Sequence, residues 1–330
     1  MSANDQVLLL THSGDYYTID LVEAAVAKAG AQPIRIDTDR FPSESSLGVA
    51  FNRSGRQVVL EVNGHEINLA SARAIWARRL WPGRFTAELD PRYAAHCQRE
   101  ARTAYMDMLG LLGSARWINP LDAGRTAESK LLQLEVAGEV GLSIPPTLIS
   151  NSPSAVREFY RDVEGRMITK LLEPLSQTMD GSGTFLYTSD VSDDDMLAID
   201  ELRYAPQIFQ AKIEKRSELR VIVVGEQTFV GAIDATESAN GSVDWRRLTS
   251  VDGVEWREGE LPKSVEHAAR QLMTRLGLVF GALDFIVDHN GRHIFLELNQ
   301  AGEWGWLERD LGLPIAEAIA ACLLGDEGVS

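Results

Sequence analysis

Short apolar runs alternate with amphipathic stretches from the first residues onward. Gln6 to Leu10 has strand length, Thr11 to Tyr17 is a polar turn containing Gly14, and Ile19 to Ala29 reads as a helix closed by Gly30. Pro33 to Asp37 is a second strand, so the chain opens as β-α-β and predicts a parallel sheet. Arg53 to Asn68 carries two hairpin turns, Ser54-Gly55 and Asn63-Gly64. Pro91 to Leu112 reads as one long helix, and Trp117-Ile118-Asn119-Pro120 breaks it. Arg125 to Val140 reads as a helix ended by Gly141, Pro145-Pro146-Thr147 leads into a strand, and Ser154 to Val163 is a further helix. Strands are predicted at Met167 to Leu172, Gln207 to Ile213 and Leu219 to Val224, with a loop at Glu173 to Thr184. Val265 to Leu276 is amphipathic, with Ser264 as its expected N-cap and Gly277 after its end. The fold class is α/β (α+β).

The segment Ala282 to Asn299 is the most informative. Two β-rich runs flank Asn290-Gly291, a strong hairpin signal. With those two residues as the turn, His289 pairs with Arg292 and Asp284 falls opposite Glu297. Alternation puts Asn299 beside Glu297 on that face, together with Ile286 and Phe295. The other face carries Leu283, Phe285, Val287, Ile294, Leu296 and Leu298. Opposed like charges destabilise a sheet. A divalent cation would remove the repulsion, and an all-oxygen ligand set suits magnesium.

Composition narrows the setting. The 330 residues are 45% hydrophobic and 24% charged, ordinary for a globular chain of two or three domains. The start is polar, no apolar run has membrane-spanning length, and the isolated Cys97 and Cys322 suit a reduced, cytoplasmic protein. A net charge of −16 argues against nucleic acid as a partner. Leu171 to Leu202 holds eight acids and no base, including Asp193, Asp194 and Asp195. On charge alone that stretch is a solvated face; the sharper reading is a docking surface for a basic peptide.

Two phosphate-loop motifs are excluded: no GxGxxG follows the first strand and no GxxxxGK[ST] occurs. The six histidines have no ligand-like spacing, which disfavours zinc. Lys170 ends an apolar strand and needs an anion, either a phosphate or a neighbouring acid. Arg220, inside a β-run, and Arg246 could hold phosphate or carboxylate in bidentate fashion, with Arg78 and Arg79 as weaker candidates for the carboxylate. Lys130 follows Ser129 early in a helix, and Gly181-Ser182-Gly183-Thr184 is either a phosphate-closing loop or a surface turn.

The order of these features resembles the ATP-grasp ligases: two lysines, a Gly-rich loop, a hinge strand, an arginine, then Asp…Glu-x-Asn. More narrowly, Leu8-Leu9-Leu10-Thr11-His12-Ser13-Gly14-Asp15, Ile75-Trp76-Ala77-Arg78-Arg79, Glu218-Leu219-Arg220-Val221 and the stretch Phe295 to Trp304 resemble the microviridin-type, or graspetide, peptide macrocyclases. The resemblance implies an N-terminal domain over residues 1–117, a central ATP-grasp domain over 118–205 and a C-terminal one over 206–330. It implies ATP held by Lys130, Lys170 and a hinge of Gln210, Ala211, Lys212 and Ile213, with Glu214 as the nearest candidate for the ribose. Arg220 and Arg246 would steady the γ-phosphate and acyl phosphate, and Asp284, Glu297 and Asn299 would hold Mg2+. It further implies a precursor peptide docked on the central domain near Asp193, Asp194 and Asp195, and a homodimer. The expected reaction phosphorylates a Glu or Asp side chain and closes it onto a Thr or Ser hydroxyl or a Lys amine. Competing readings are an amino-acid or small-peptide ligase, a small-molecule kinase and a non-catalytic nucleotide-binding regulator.

Overall fold

A computed structural model of the chain describes residues 5–53, 55–85, 89–172, 188–234 and 255–325. Strand β1 (Gln6–Thr11), helix α1 (Thr18–Lys28) and strand β2 (Gln32–Asp37) form the expected β-α-β unit, with β1 and β2 parallel from Gln6↔Gln32 to Thr11↔Asp37. An antiparallel sheet of β3 (Ser45–Asn52), β4 (Gly55–Val62) and β5 (His65–Asn68) follows. Its Asn63-Gly64 turn has φ of 52° and 77°, the left-handed pair a tight hairpin demands. β6 (Ala74–Ala77) then pairs parallel with β1; after α2 (Pro91–Gly110), β7 (Arg116–Ile118) completes the order β2-β1-β6-β7. Both faces of β1 are covered, as a parallel sheet requires. Val7 and Leu9 enter a core with α1, whereas Leu8 and Leu10 enter a second core with Val58, Leu60 and α2.

The region expected as one helix over Arg125 to Val140 is two: α3 (Leu121–Ala127) and α4 (Lys130–Glu139). Ser129 makes the break, because its hydroxyl accepts from the Leu132 N–H and caps α4. Lys130 thereby becomes the first residue of a helix. β8 (Thr147–Ser150), α5 (Pro153–Asp162), β9 (Met167–Lys170), β10 (Ser189–Asp190), α6 (Asp193–Leu197) and β11 (Gln207–Ala211) form the next layer, with sheet order β10-β9-β11-β8.

The last sheet holds β12 (Lys215–Val224), β13 (Gln227–Asp234), β14 (Arg257–Glu258), β15 (Phe280–Asp288) and β16 (His293–Asn299), in the order β14-β13-β12-β15-β16. β12 begins four residues earlier than the apolar pattern suggests, taking in the charged Lys215 to Glu218. Helix α7 (Lys263–Arg275) covers one face with α3 and α4. Its N-cap is Pro262 rather than Ser264, with no side-chain bond. After α8 (Gly305–Leu311), α9 (Ile315–Leu324) covers the other face. Ile222, Val224, Phe280 and Ala282 of this sheet share one core with α9, α1, Val7 and Leu9. The first and last elements of the chain are therefore packed together.

The β15–β16 connection departs from the expected turn. Asp288 accepts from the N–H groups of Asn290 and Arg292, and Gly291 sits at φ 79°, so the loop is three residues long. Ile286 consequently pairs with Ile294 and Phe285 with Phe295, one residue out of step with the two-residue turn. A bulge between those pairs and Asp284 takes up the extra residue, and Asp284 still faces Glu297. Phe295 moves to the apolar face, edge-on to Phe285 with ring centroids 5.6 Å apart. The site-side neighbour is Ile294 instead.

Candidate active site

Alternation along β12 sends Leu219, Val221 and Val223 into the core under α7. Arg220 points the opposite way, is 7% exposed at its side chain, and pairs in register with Asp284 of β15. Its Nη1 lies 2.7 Å from Asp284 Oδ1, and its Nη2 donates to the Glu303 carbonyl at 2.9 Å. The Trp306 ring lies 5.7 Å from the guanidinium. Glu297 stands opposite Asp284, and Asn299, opposite Ala282, shares the face. Asn299 Oδ1 accepts from the Ala301 N–H at 3.0 Å, which fixes its orientation.

Lys130 closes the cluster from the far side. Its Nζ is 3.9 Å from Glu297 Oε2 and donates to the Leu171 carbonyl at 3.0 Å. A cation at a helix N-terminus opposes the helix dipole, so its placement is compensated by the acid and the carbonyl. That carbonyl directly follows Lys170, which ends β9 opposite Ile208 and is half-buried. Arg220, Asp284, Glu297, Lys130 and Asn299 are thus gathered, with Lys170 one residue from the carbonyl that Lys130 binds. Two amides that the sequence reading passed over hold this frame. Gln133 bonds both backbone groups of Leu298 at 2.8 Å, and Asn119 bonds Val279, Phe280 and Gln300. A buried polar side chain beside a strand is the signal that could have found them.

The hinge is partly committed to structure. Gln210 and Ala211 end β11, and the N–H groups of Ala211 and Lys212 donate to Pro146 and Arg166 carbonyls. Lys212 Nζ lies 2.7 Å from Asp190. Ile213 is half-buried in the irregular stretch before β12. Glu214 is exposed and 3.7 Å from Arg166, a solvent-screened pair. Behind the hinge lies an unforeseen buried pair, Lys215 Nζ to Glu218 Oε1 at 2.6 Å. Arg246 and the loop Gly181 to Thr184 lie outside the described residues.

The acids of α6 are largely occupied. Asp195 accepts from the Ser192 N–H and hydroxyl at 2.8 and 2.6 Å, and Asp193 accepts from the Tyr160 hydroxyl at 3.0 Å. All three aspartates occupy the first helical turn, where negative charge is favoured.

A second charged network joins the two ends of the sequence. Arg78 is 1% exposed at its side chain and lies between Asp15, at 3.1 Å, and Glu303. Glu303 also accepts from the Thr18 hydroxyl and lies 3.4 Å from Arg79. Burial pushes the Glu303 carboxyl up, but Arg78, Thr18 and Arg79 together hold it below its ordinary value. Burial lowers the Arg79 guanidinium, as does Arg78, against the raising effect of Glu303. His12 stacks on Trp81 at 3.7 Å and accepts the Gly14 N–H on Nδ1. Burial, opposed by Asp15, lowers the His12 pKa, so the ring is neutral near pH 7. Ser13 donates twice to Asp39 at 2.7 Å; burial raises that carboxyl, but these bonds prevail and lower it.

Asp284 and Glu297 offer paired carboxylates from rigid strands, and both are flanked by cations. Their oxygen donors and the Asn299 amide fit a hard divalent ion. Among the described residues no cluster of three or more His, Cys, Asp or Glu could hold a metal, so any site here includes the amide. No described helix is long and apolar enough to cross a membrane.

Residues 6–125 match the MvdD pre-ATP grasp domain family. The macrocyclase MdnB from Microcystis aeruginosa MRC is 44% identical, covering 97% of this chain and 99% of its own, with TM-score 0.83. The macrocyclase MdnC from the same source, bound with precursor peptide MdnA, is 33% identical over 97% and 99%, with TM-score 0.87. A Chryseobacterium gregarium RiPP-associated ATP-grasp ligase, in complex with ADP and a leader and core peptide, is 29% identical over 98% of each chain, with TM-score 0.92. No curated protein sequence matches the chain.

Proposed function

This chain belongs to the ATP-grasp macrocyclase family of MdnB and MdnC, and we propose that it cyclises a ribosomal precursor peptide through side-chain acyl phosphates. The observation that carries the reading is the opposed pair Asp284 and Glu297, held between Arg220 and Lys130. In the first step a Glu or Asp carboxylate oxygen of the peptide attacks the γ-phosphorus of ATP, and ADP leaves. Lys130 and Lys170 bind phosphate oxygens, while Arg220 stabilises charge on the transferring group. Mg2+ bound by Asp284, Glu297 and Asn299 would add further neutralisation there. In the second step a Thr or Ser hydroxyl, or a Lys amine, attacks the acyl carbonyl. Phosphate leaves, the nucleophile loses its proton, and an ester or amide ring remains. No enzyme nucleophile is required.

Residues 210–213 form the adenine hinge in this reading, and Arg246 joins Arg220 at the phosphates. The leader docks near α6 at Asp193, Asp194 and Asp195, of which Asp194 bonds no neighbouring side chain among the described residues. The assembly is a cytoplasmic homodimer. The test is mass spectrometry of a Thr/Lys- and Glu/Asp-rich precursor incubated with enzyme, ATP and magnesium. Each ring removes one water, roughly 18 Da by covalent bookkeeping. Phosphate release without peptide dehydration overturns the assignment.

A further inference from the structure

β16 is the outer strand of its sheet. An outer strand leaves backbone N–H and C=O groups unpaired along its far edge. On that edge the Phe295 N–H donates to the Ser143 carbonyl at 2.8 Å. Three residues on, a side chain takes the place of a strand. Gln133 Oε1 accepts the Leu298 N–H at 2.8 Å, and its Nε2 donates to the Leu298 carbonyl at 2.8 Å and to the Ala127 carbonyl at 2.6 Å. Gln133 is 3% exposed, and the other buried residues of α4 are Val136 and Ala137. An amide buried among apolar residues is costly unless its polar atoms are bonded, and here Oε1 and both Nε2 protons have partners.

Leu298 lies between Glu297 and Asn299. Its side chain turns into the core beneath α7, so those of Glu297 and Asn299 turn to the opposite, site-bearing face. Fixing the Leu298 backbone therefore fixes the origin of both side chains at once. Three residues before Gln133 on the same helix, Lys130 reaches Glu297 at 3.9 Å. α4 thus meets β16 at two successive residues, by charge at Glu297 and by an amide at Leu298. Beyond Asn299, the Asn119 amide donates to the Gln300 carbonyl at 3.0 Å and braces the chain on its other side.

We infer that Gln133 is a positioning residue for the magnesium site: by holding the Leu298 backbone it presents Glu297 and Asn299 to the ion and keeps them in register with Lys130. The inference rests on the proposed ligase reading and adds to it the side chain on which metal occupancy depends. Magnesium demands near-ideal octahedral geometry with ligands at about 2.1 Å. An outer strand released from its edge contact can shift by a fraction of that distance, which is enough to spoil the geometry. Gln133 touches neither metal nor substrate, so its effect passes through the two ligands.

The test compares Gln133→Met, which keeps the volume and removes the amide, with Val136→Ala, which weakens the packing of the same helix without touching Leu298. Mg2+ is titrated by calorimetry into the full chain in excess over ADP, so that the nucleotide is protein-bound throughout. The Mg2+ dissociation constant of Gln133→Met rises about ten-fold or more, the scale of outer-shell partners of metal ligands, while that of Val136→Ala equals the parent's. Ring formation by Gln133→Met climbs toward the parent level as Mg2+ is raised, a rescue that a general folding defect does not show. Should Gln133→Met not fold, Gln133→Asn, with the same amide on an arm one carbon shorter, is measured in its place and shifts in the same direction. A Mg2+ constant equal to the parent's in the Gln133 variant, or a shift matched by Val136→Ala, overturns the inference and leaves the ligase reading standing. A parent protein that binds no ADP, or binds it with no response to Mg2+, overturns the metal assignment of that reading and this inference with it.

Discussion

Asp284 and Arg220 are direct cross-strand partners of β15 and β12, joined at 2.7 Å, while Glu297 approaches Asp284 from the opposite strand. The two carboxylates therefore differ in their support. Asp284→Asn leaves the nearly buried Arg220 without its counter-charge and lowers stability by about 2 kcal/mol. Glu297→Gln, at a more open position, changes stability by less than about 1 kcal/mol. Both variants lose ring formation. Urea midpoints and peptide mass spectra check the contrast, and turnover in either variant at saturating magnesium would remove the metal assignment.

Lys130→Met and Lys170→Met each weaken ATP binding about ten-fold or more, because a charge-assisted contact to phosphate is lost. Calorimetry with ADP and with ATP reads the effect. Lys130→Met also removes a cation from a helix N-terminus, so its stability loss is small.

Arg78→Gln is the most damaging single substitution of the set. It removes the cation from the buried Asp15 and one of the two cations from Glu303, which keeps Arg79 and Thr18, at a cost of about 3–5 kcal/mol. The network also sets an acid limit. Glu303 has a folded pKa below its ordinary 4.5, so the stabilisation is present above that value and is lost as pH falls through the lower folded value. In Arg78→Gln the Glu303 carboxyl loses the largest of the groups that hold it down and rises, so acid unfolding begins at higher pH. Fluorescence-monitored acid titration of both proteins tests the direction.

The α6 aspartates separate by position. Asp195→Asn weakens a capping box and costs about 1 kcal/mol locally without a direct effect on a partner. Asp194→Lys, free of that duty, weakens binding of a basic leader peptide, and more so at low salt. Equal leader affinity for parent and Asp194→Lys at low salt would make α6 a solvated face.

Gly302→Ala tests the Arg220 position without touching a charge. A Cβ there would lie 2.5 Å from Ala282 Cβ and 2.8 Å from Arg220 Nη2. The substitution lowers stability by about 1–3 kcal/mol and reduces turnover by moving the guanidinium.

The β1-α1-β2 unit was readable because apolar period, turn residues and the closing Gly30 all agree there. The opposition of Asp284 and Glu297 was read from a turn one residue too short, and a bulge cancelled that error. Neither loop length nor bulge leaves a mark in apolar alternation, so Phe295 was placed on the wrong face. The break before Lys130 was missed because Ser129 is an ordinary helix-surface residue until its hydroxyl caps Leu132. The bonds of Gln133 to Leu298, of Asn119 to Phe280 and of Arg78 to Glu303 escaped notice for a common reason. Their partners are some 160 residues or more away in sequence, beyond the reach of local pattern.

The contact of α1 with α9 constrains the order in which the molecule can be made. Lys28 pairs with Glu317, Arg73 donates to the Leu324 carbonyl, and Ile315 and Ile319 lie in the same core as Val7 and Leu9. During synthesis the first sheet leaves the ribosome with that face covered only in part, by α1, and nothing in the next few hundred residues closes it in full. Only arrival of the last helix does so. A nascent chain stalled before Ile315 would thus hold an open, aggregation-prone sheet, and completion of the polypeptide itself is what releases a finished N-terminal half.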